Sequence, residues 1–167
     1  MRSAKLAIFI FVALLWVVLD QCVKAYIIGT VPSTQGATGQ NFGLFSLTMV
    51  HNTGGAWSIF SGNTGALAIF SITMCACVFV FVLLCHRKLY TCQLIALALV
   101  VGGGIGNAID RFTLGYVVDF INLNFISFPV FNIADIGVTV GVFFLLAFWI
   151  VREFTQKPTS NASSSAK

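Results

Sequence analysis

Apolar residues run along this chain in four long blocks rather than in short alternations. The blocks cover roughly residues 6–28, 64–85, 89–109 and 133–151. Each approaches the length of about 20 apolar residues that an α-helix needs to cross a bilayer core. The second and third blocks hold no charged side chain. The pattern predicts an all-α membrane protein with four transmembrane helices. Arg2 and Lys5 ahead of the first block give it the outline of a secretory signal, but no small-x-small cleavage site follows. In Leu19-Asp20-Gln21-Cys22, Asp20 and Gln21 stand where a lipoprotein cleavage box needs small or apolar residues. The block is read as a retained first helix.

The connections are unequal. Residues 29–63 are rich in Gly, Ser, Thr and Asn, yet carry Phe42, Leu44, Phe45, Leu47, Met49, Val50, Trp57, Ile59 and Phe60. The partial alternation from Phe42 to Val50 predicts short strands. Gly54-Gly55 predicts a turn or a close backbone approach. Residues 111–132 hold Phe125, Ile126, Phe128, Val130 and Phe131. Both segments are expected at the membrane surface. Residues 1–157 are therefore expected to form a single polytopic domain with a small β-containing segment outside the membrane. The Ser-rich stretch 158–167 is expected to be a disordered tail.

Charge sets the orientation. Only 8% of the 167 residues are charged and 58% are hydrophobic, whereas a soluble domain carries about 25% charged residues. The small net charge of +4 is scattered over loops and does not form a nucleic-acid face. With four spans, Arg2, Lys5, Arg87, Lys88, Arg152, Lys157 and Lys167 share one side, and only Lys24 and Arg111 lie on the other. The positive-inside rule makes the first side cytoplasmic, with both termini inside. The chain is thus expected in the bacterial cytoplasmic (inner) membrane, with its chemistry on the extracytoplasmic, periplasmic face.

That chemistry rests on acids. Asp20, Asp110, Asp119 and Asp135 all fall at the outer ends of the blocks, and the only other acid is Glu153. Ionisable groups at membrane depth are costly and usually functional. Asp20 and Lys24 are four apart and share a helix face. Asp110 adjoins Arg111, which is expected to keep it ionised, and Asn107 stands four residues before that arginine. Both aspartates read as supports. Asp119 lies among apolar neighbours. Asn132 is placed to cap the fourth helix, which puts Asp135 at its third position, where the helix N-terminus favours an ionised carboxylate. Two carboxylates in unlike surroundings suit acid–base chemistry, with one charged to activate water and the other neutral to donate a proton. The plainer alternative is a helix-end acid and a loop acid without a catalytic role.

Other chemistries find less support. His51 is on the outer side and is more simply structural, and His86 lies in the cytoplasmic loop. Cys22, Cys75, Cys77, Cys85 and Cys92 form no CxxC pair, and no metal spacing accompanies them, so they read as small hydrophobes. Gly102-Gly103-Gly104-Ile105-Gly106 lies inside an apolar span, without the strand–turn–helix context of a dinucleotide site, and predicts close helix packing. A transporter would place polar residues along a whole span, and a scaffold would tolerate loss of the acids. The gathering of acids at one end favours neither.

Four blocks carry a family resemblance. They are Asp20-Gln21-x-x-Lys24, Asn52-Thr53-Gly54-Gly55-Ala56-Trp57-Ser58-Ile59-Phe60, Gly106-Asn107-Ala108-Ile109-Asp110-Arg111 with Val117-Val118-Asp119-Phe120, and Phe131-Asn132-Ile133-Ala134-Asp135 with Gly141. In order and spacing the chain resembles the bacterial lipoprotein signal peptidases (signal peptidase II), which are membrane aspartic proteases. The resemblance implies removal of the signal peptide from a diacylglyceryl-modified prolipoprotein by dyad-activated water, with the cut N-terminal to the lipidated cysteine. It implies Asp119 and Asp135 as the dyad. It implies Asp20, Lys24, Asn52, Gly54, Asn107, Asp110, Arg111 and Asn132 as supporting or substrate-binding residues. No metal or cofactor is implied, membrane lipids are the surroundings, and a complete dyad in one chain makes a monomer sufficient.

Overall fold

The structure, a computed structural model, describes residues 2–31, 39–54 and 62–155. Trp57, Ile59, Phe60 and the expected tail 158–167 lie outside the described residues. In chain order the elements are α1 (Arg2–Thr30), β1 (Phe45–Asn52), α2 (Thr64–Cys85), α3 (Thr91–Thr113), β2 (Val117–Leu123) and α4 (Ile133–Thr155). All four helices are long and apolar enough to cross a membrane. Large side chains such as Phe11, Leu15, Phe70, Phe143 and Trp149 stay exposed on them, as a lipid-facing belt requires.

The expected spans hold, with shifted ends. α1 begins four residues earlier than its apolar block. α3 starts at Thr91 and continues through Asp110 and Arg111 to Thr113. Hydropathy marks where apolar residues stop, but a helix continues while its polar side chains find partners, and those of α3 do.

α3 is the central helix. Of its apolar stretch 56% is buried, against 17% for each of the other three. Its glycines explain how the neighbours come so close. A Cβ on Gly102 would lie 2.9 Å from the Ala13 carbonyl oxygen of α1. On Gly103 it would strike the Ala134 carbonyl oxygen of α4, and on Gly104 it would sit 2.5 Å from Cys75 Sγ of α2. On Gly106 it would lie 2.6 Å from Asp20 Oδ2. Successive glycines thus admit successive partners, which is the small-residue packing that bilayers favour. Phe9, Ala13, Cys75, Val82, Leu94, Leu97, Ala98 and Val101 fill the apolar core below the glycines.

The two ends of the bundle differ. At one end Lys5 Nζ donates to the Leu89 carbonyl at 2.7 Å, and Tyr90 packs on Phe148. At the other end β1 and β2 form an antiparallel ribbon, paired from Phe45↔Leu123 to Asn52↔Val117. β1 matches the alternation around Phe42–Val50, shifted toward Asn52. Its partner β2 was not expected as a strand. Val117 to Phe120 are buried in succession, so no period of two is visible there. One face of the ribbon packs Met49, Val118 and Phe120 onto Ile27 and Val31 at the end of α1. A bulge between Leu47 and Val50 adds one residue to β1 opposite Phe120, beside the Val50–Asp119 pair. Phe131 then forms an antiparallel bridge to Ile121, which brings the start of α4 beside β2.

The glycine contacts predict unequal tolerance. Gly103→Ala meets backbone, which cannot yield without moving α4, while Gly104→Ala meets a side chain that can rotate. Overpacking of this kind costs roughly 1–3 kcal/mol. G103A is expected to lower the melting temperature of detergent-solubilised protein clearly more than G104A. Equal melting temperatures for the two variants would contradict the packing described.

Candidate active site

The ribbon end of the bundle gathers the polar residues that the apolar blocks lack. Asp20 and Lys24 come from the outer half of α1. Asn107, Asp110 and Arg111 come from the end of α3, Asn52 from β1, Asp119 from β2, and Asn132 and Asp135 from the start of α4. Asp20, Lys24, Asn107, Asp110, Asp119 and Asn132 are all buried. All ten residues singled out from sequence converge here, Gly54 included.

Asp119 is the more enclosed of the two candidate acids. Its Oδ1 accepts from Asn132 Nδ2 at 2.6 Å and its Oδ2 accepts from Asn52 Nδ2 at 2.8 Å. Asn52 reaches it diagonally across the ribbon, because Val50 is the residue directly opposite. Asn52 Oδ1 in turn accepts the Gly54 N–H at 2.9 Å, which fixes its amide with Nδ2 toward the carboxylate. Burial and the neighbouring Asp135 carboxylate push Asp119 up to about 7, against the pull of the Asn52 and Asn132 hydrogen bonds and of Lys24. Burial is the largest cause.

Asp135 sits at the third position of α4, as the capping pattern requires. Its N–H donates to Asn132 Oδ1 at 3.0 Å, and its Oδ2 accepts the Asn132 N–H at 3.3 Å. This is a reciprocal capping box at a helix N-terminus, where negative charge is favoured. Asp135 Oδ1 accepts from Asn107 Nδ2 at 2.7 Å. Asn132 and Asn107 are themselves joined, Nδ2 to Oδ1, at 3.0 Å. Two asparagines therefore link the two carboxylates.

Behind this link lies an ion triad. Lys24 Nζ stands 2.9 Å from Asp20 Oδ2 and 2.8 Å from Asp110 Oδ2, and it donates to Asn107 Oδ1 at 3.0 Å. The expected Asp20–Lys24 pair is present. The expected Asp110–Arg111 pair is corrected: Asp110 ion-pairs with Lys24. Adjacent helical residues point about 100° apart, so sequence neighbours seldom pair, whereas Lys24 on a facing helix can. The Arg111 guanidinium instead donates to the carbonyls of Gly54 (3.3 Å) and Asn107 (3.4 Å), while its buried Nε has no hydrogen-bond partner among the described residues.

Two residues of the site were not among those expected. Gln21 Nε2 contacts Asp110 Oδ1 at 2.9 Å, Asp20 Oδ2 at 3.2 Å and the Gly106 carbonyl at 3.2 Å. It follows Asp20 directly in the first motif, and its polarity inside an apolar block was the available signal. Trp16 Nε1 donates to the Ile133 carbonyl at 3.2 Å, and its indole covers Gly137, where a Cβ would collide with it. No signal short of the fold distinguishes this tryptophan from a lipid-facing one. His51 stacks on Tyr116 with ring centroids 4.0 Å apart, and among the described residues no group of His, Cys and acids is arranged as metal ligands.

Known proteins are similar to this chain in sequence and in fold. The profile of the family described as signal peptidase (SPase) II matches residues 12–151. A protein of Lactobacillus johnsonii named lipoprotein signal peptidase is 38% identical over 152 residues, covering 90% of this chain and 96% of its own. Another so named, from Nostoc punctiforme, is 38% identical over 146 residues, covering 85% and 86%. A solved bacterial membrane enzyme superposes with a TM-score of 0.78 at 30% identity, covering 92% of this chain and 94% of its own. The chain is accordingly a multi-pass membrane protein, and with the profile spanning all four helices it belongs to the signal peptidase II family.

Proposed function

We propose that the protein is an aspartic endopeptidase that removes the signal peptide from diacylglyceryl-modified prolipoproteins, with Asp119 and Asp135 as its dyad. The observation that carries this reading is the pair of enclosed carboxylates, one on β2 and one in the first turn of α4, oriented by asparagines and held in unlike electrostatic settings. The relatives named lipoprotein signal peptidase supply the substrate class.

The unlike settings divide the work. Asp119, raised to about 7 by burial, retains a proton near neutrality. Asp135, at a helix N-terminus, accepts from Asn107 Nδ2 and from the Asn132 N–H, which orients its carboxylate to take a proton from water. Asp135 takes a proton from a water molecule, whose oxygen attacks the scissile carbonyl carbon. Asp119 gives its proton to the carbonyl oxygen, and a tetrahedral diol results. Asp135 then gives its proton to the amide nitrogen while Asp119 takes one back from a diol hydroxyl. The C–N bond breaks, the amine of the lipidated cysteine and the peptide carboxyl product are freed, and both acids return to their starting forms. The coupled pair titrates as a unit, with these forms dominating.

Position supports the rest. The basic loops lie at the opposite end of the bundle from the dyad, which under the positive-inside rule supports a dyad on the periplasmic face of the inner membrane. A substrate held by its signal helix and its lipid presents its cleavage site at that depth. The Arg111 guanidinium at the dyad supplies donors for a substrate carbonyl or a lipid oxygen.

Purified protein given a lipidated prolipoprotein is expected to lose cleavage by roughly 10²–10⁴-fold in Asp119→Asn and in Asp135→Asn alike, as loss of a general acid or base does. Near-wild-type cleavage by either variant would overturn the dyad. The pH profile carries a second expectation. Asp119 must be protonated to act as the acid, so kcat/KM is expected to fall as pH rises through about 7. A profile flat from pH 6 to 9 would remove Asp119 from that role.

A further inference from the structure

Lys24 lies behind the two carboxylates and is not seen to bond to either. It is 2% exposed. Its ammonium has three N–H donors, and each meets one acceptor: Asp20 Oδ2, Asp110 Oδ2 and Asn107 Oδ1. What those acceptors do next is the informative part. Asp20 Oδ1 accepts the backbone N–H of Ala134 at 2.9 Å. Asp110 Oδ2 accepts the backbone N–H of Val118 at 3.1 Å. Ala134 immediately precedes Asp135, and Val118 immediately precedes Asp119. The third arm, Asn107, donates directly to Asp135.

One ammonium therefore reaches the backbone just ahead of both acids, through one carboxylate for each. Gln21 bridges the same two carboxylates a second time. The two acids come from different elements, β2 and α4, and no hydrogen bond between them is seen among the described residues. Their spacing has to be set through third parties.

Resting on the dyad assignment above, we infer that Lys24 is the positioning residue that sets the separation and orientation of the dyad, acting through Asp20, Asp110 and Asn107. The chemistry asked of it suits an ammonium. Its three tetrahedral donors serve three acceptors in different directions, and an amide or thioether cannot do so. A purely structural role would be served as well by apolar packing, since buried ion pairs contribute little net stability over well-packed apolar replacements. The charge has a further effect. Asp119 is faced by Lys24 from α1, by Arg111 from α3 and by Asp135 from α4, and Arg111 is itself faced by Asp110, so removing Lys24 takes away one of two cations.

The test uses full-length protein in detergent with a lipidated prolipoprotein. The variants are Lys24→Met, Asp20→Asn, Asp110→Asn and the double Asp20→Asn/Asp110→Asn. The isosteric amides keep the side-chain volume if the methionine variant fails to fold. Misplacement of reacting groups by about 1 Å costs on the order of 10²-fold in rate. The single variants are expected to lose kcat to about that extent, counted per folded molecule by melting curve, with KM little changed. The double variant is expected to lose far less than the product of the singles, because both carboxylates act through one ammonium. In Lys24→Met the falling limb of kcat/KM is expected to move to higher pH, because the cation that pulls Asp119 down is gone. In the double variant, which keeps the ammonium and removes two anions, it is expected to move to lower pH.

Singles that lower only the melting temperature and keep wild-type kcat would refute the inference. So would fully multiplicative losses in the double variant, or a limb that stays in place. Asp119→Asn and Asp135→Asn run alongside keep the two readings separable. If they still cleave, the dyad itself is wrong. If they do not cleave and the Lys24 set behaves as wild type, only the positioning role fails.

Discussion

A buried carboxylate has to be given partners, and that requirement shapes the ribbon end of this protein. Asp20, Asp110 and Asp119 are almost wholly enclosed at the end of an apolar bundle. Left unpaired, each would cost several kcal/mol or give up its charge. Together with Asp135 they share as partners one ammonium, three asparagine side chains, one glutamine and the backbone N–H groups of Val118, Ala134 and Asn132, drawn from α1, α3, α4 and both strands. Satisfying the acids thereby ties α1, α3, α4 and both strands into one body at this end. The network that stabilises the charges is also the network that orients them.

Close approach makes the network possible. Asp20 meets α4 because Gly106 has no side chain to hold α1 away, and Ala134 sits against Gly103 for the same reason. The glycines lie on the central helix, whose position between the other three makes every missing Cβ a route to a different neighbour. The apolar core below keeps the helices in register, and the polar end inherits that register. Small residues in the span and charged residues at its end are thus two parts of one device.

The difference between the two candidate catalytic acids follows from where each is attached. Asp135 belongs to a helix start, which presents N–H groups and a favourable dipole to a negative charge. Asp119 belongs to a strand, whose backbone dipoles give little net field, and burial dominates there. Equivalent side chains acquire complementary tendencies without any direct contact between them.

Much of this was legible in the residue order. Four apolar blocks specify four helices, because a bilayer leaves the backbone no other way to satisfy itself. The basic residues specify which ends lie together, and the aspartates name the candidate site. Asn132 and Asp135 are readable as a cap because capping is a contact between residues three apart. Long-range pairing is where reading by sequence fails. Asp110 adjoins Arg111 in the chain yet pairs with Lys24, and β2 is invisible to alternation because both its faces are covered. Trp16 looks like any aromatic in a span until Gly137 is found beneath it. Local interactions are determined by the sequence itself. Which acid meets which cation depends on how closely the helices approach, and only the tertiary structure decides that.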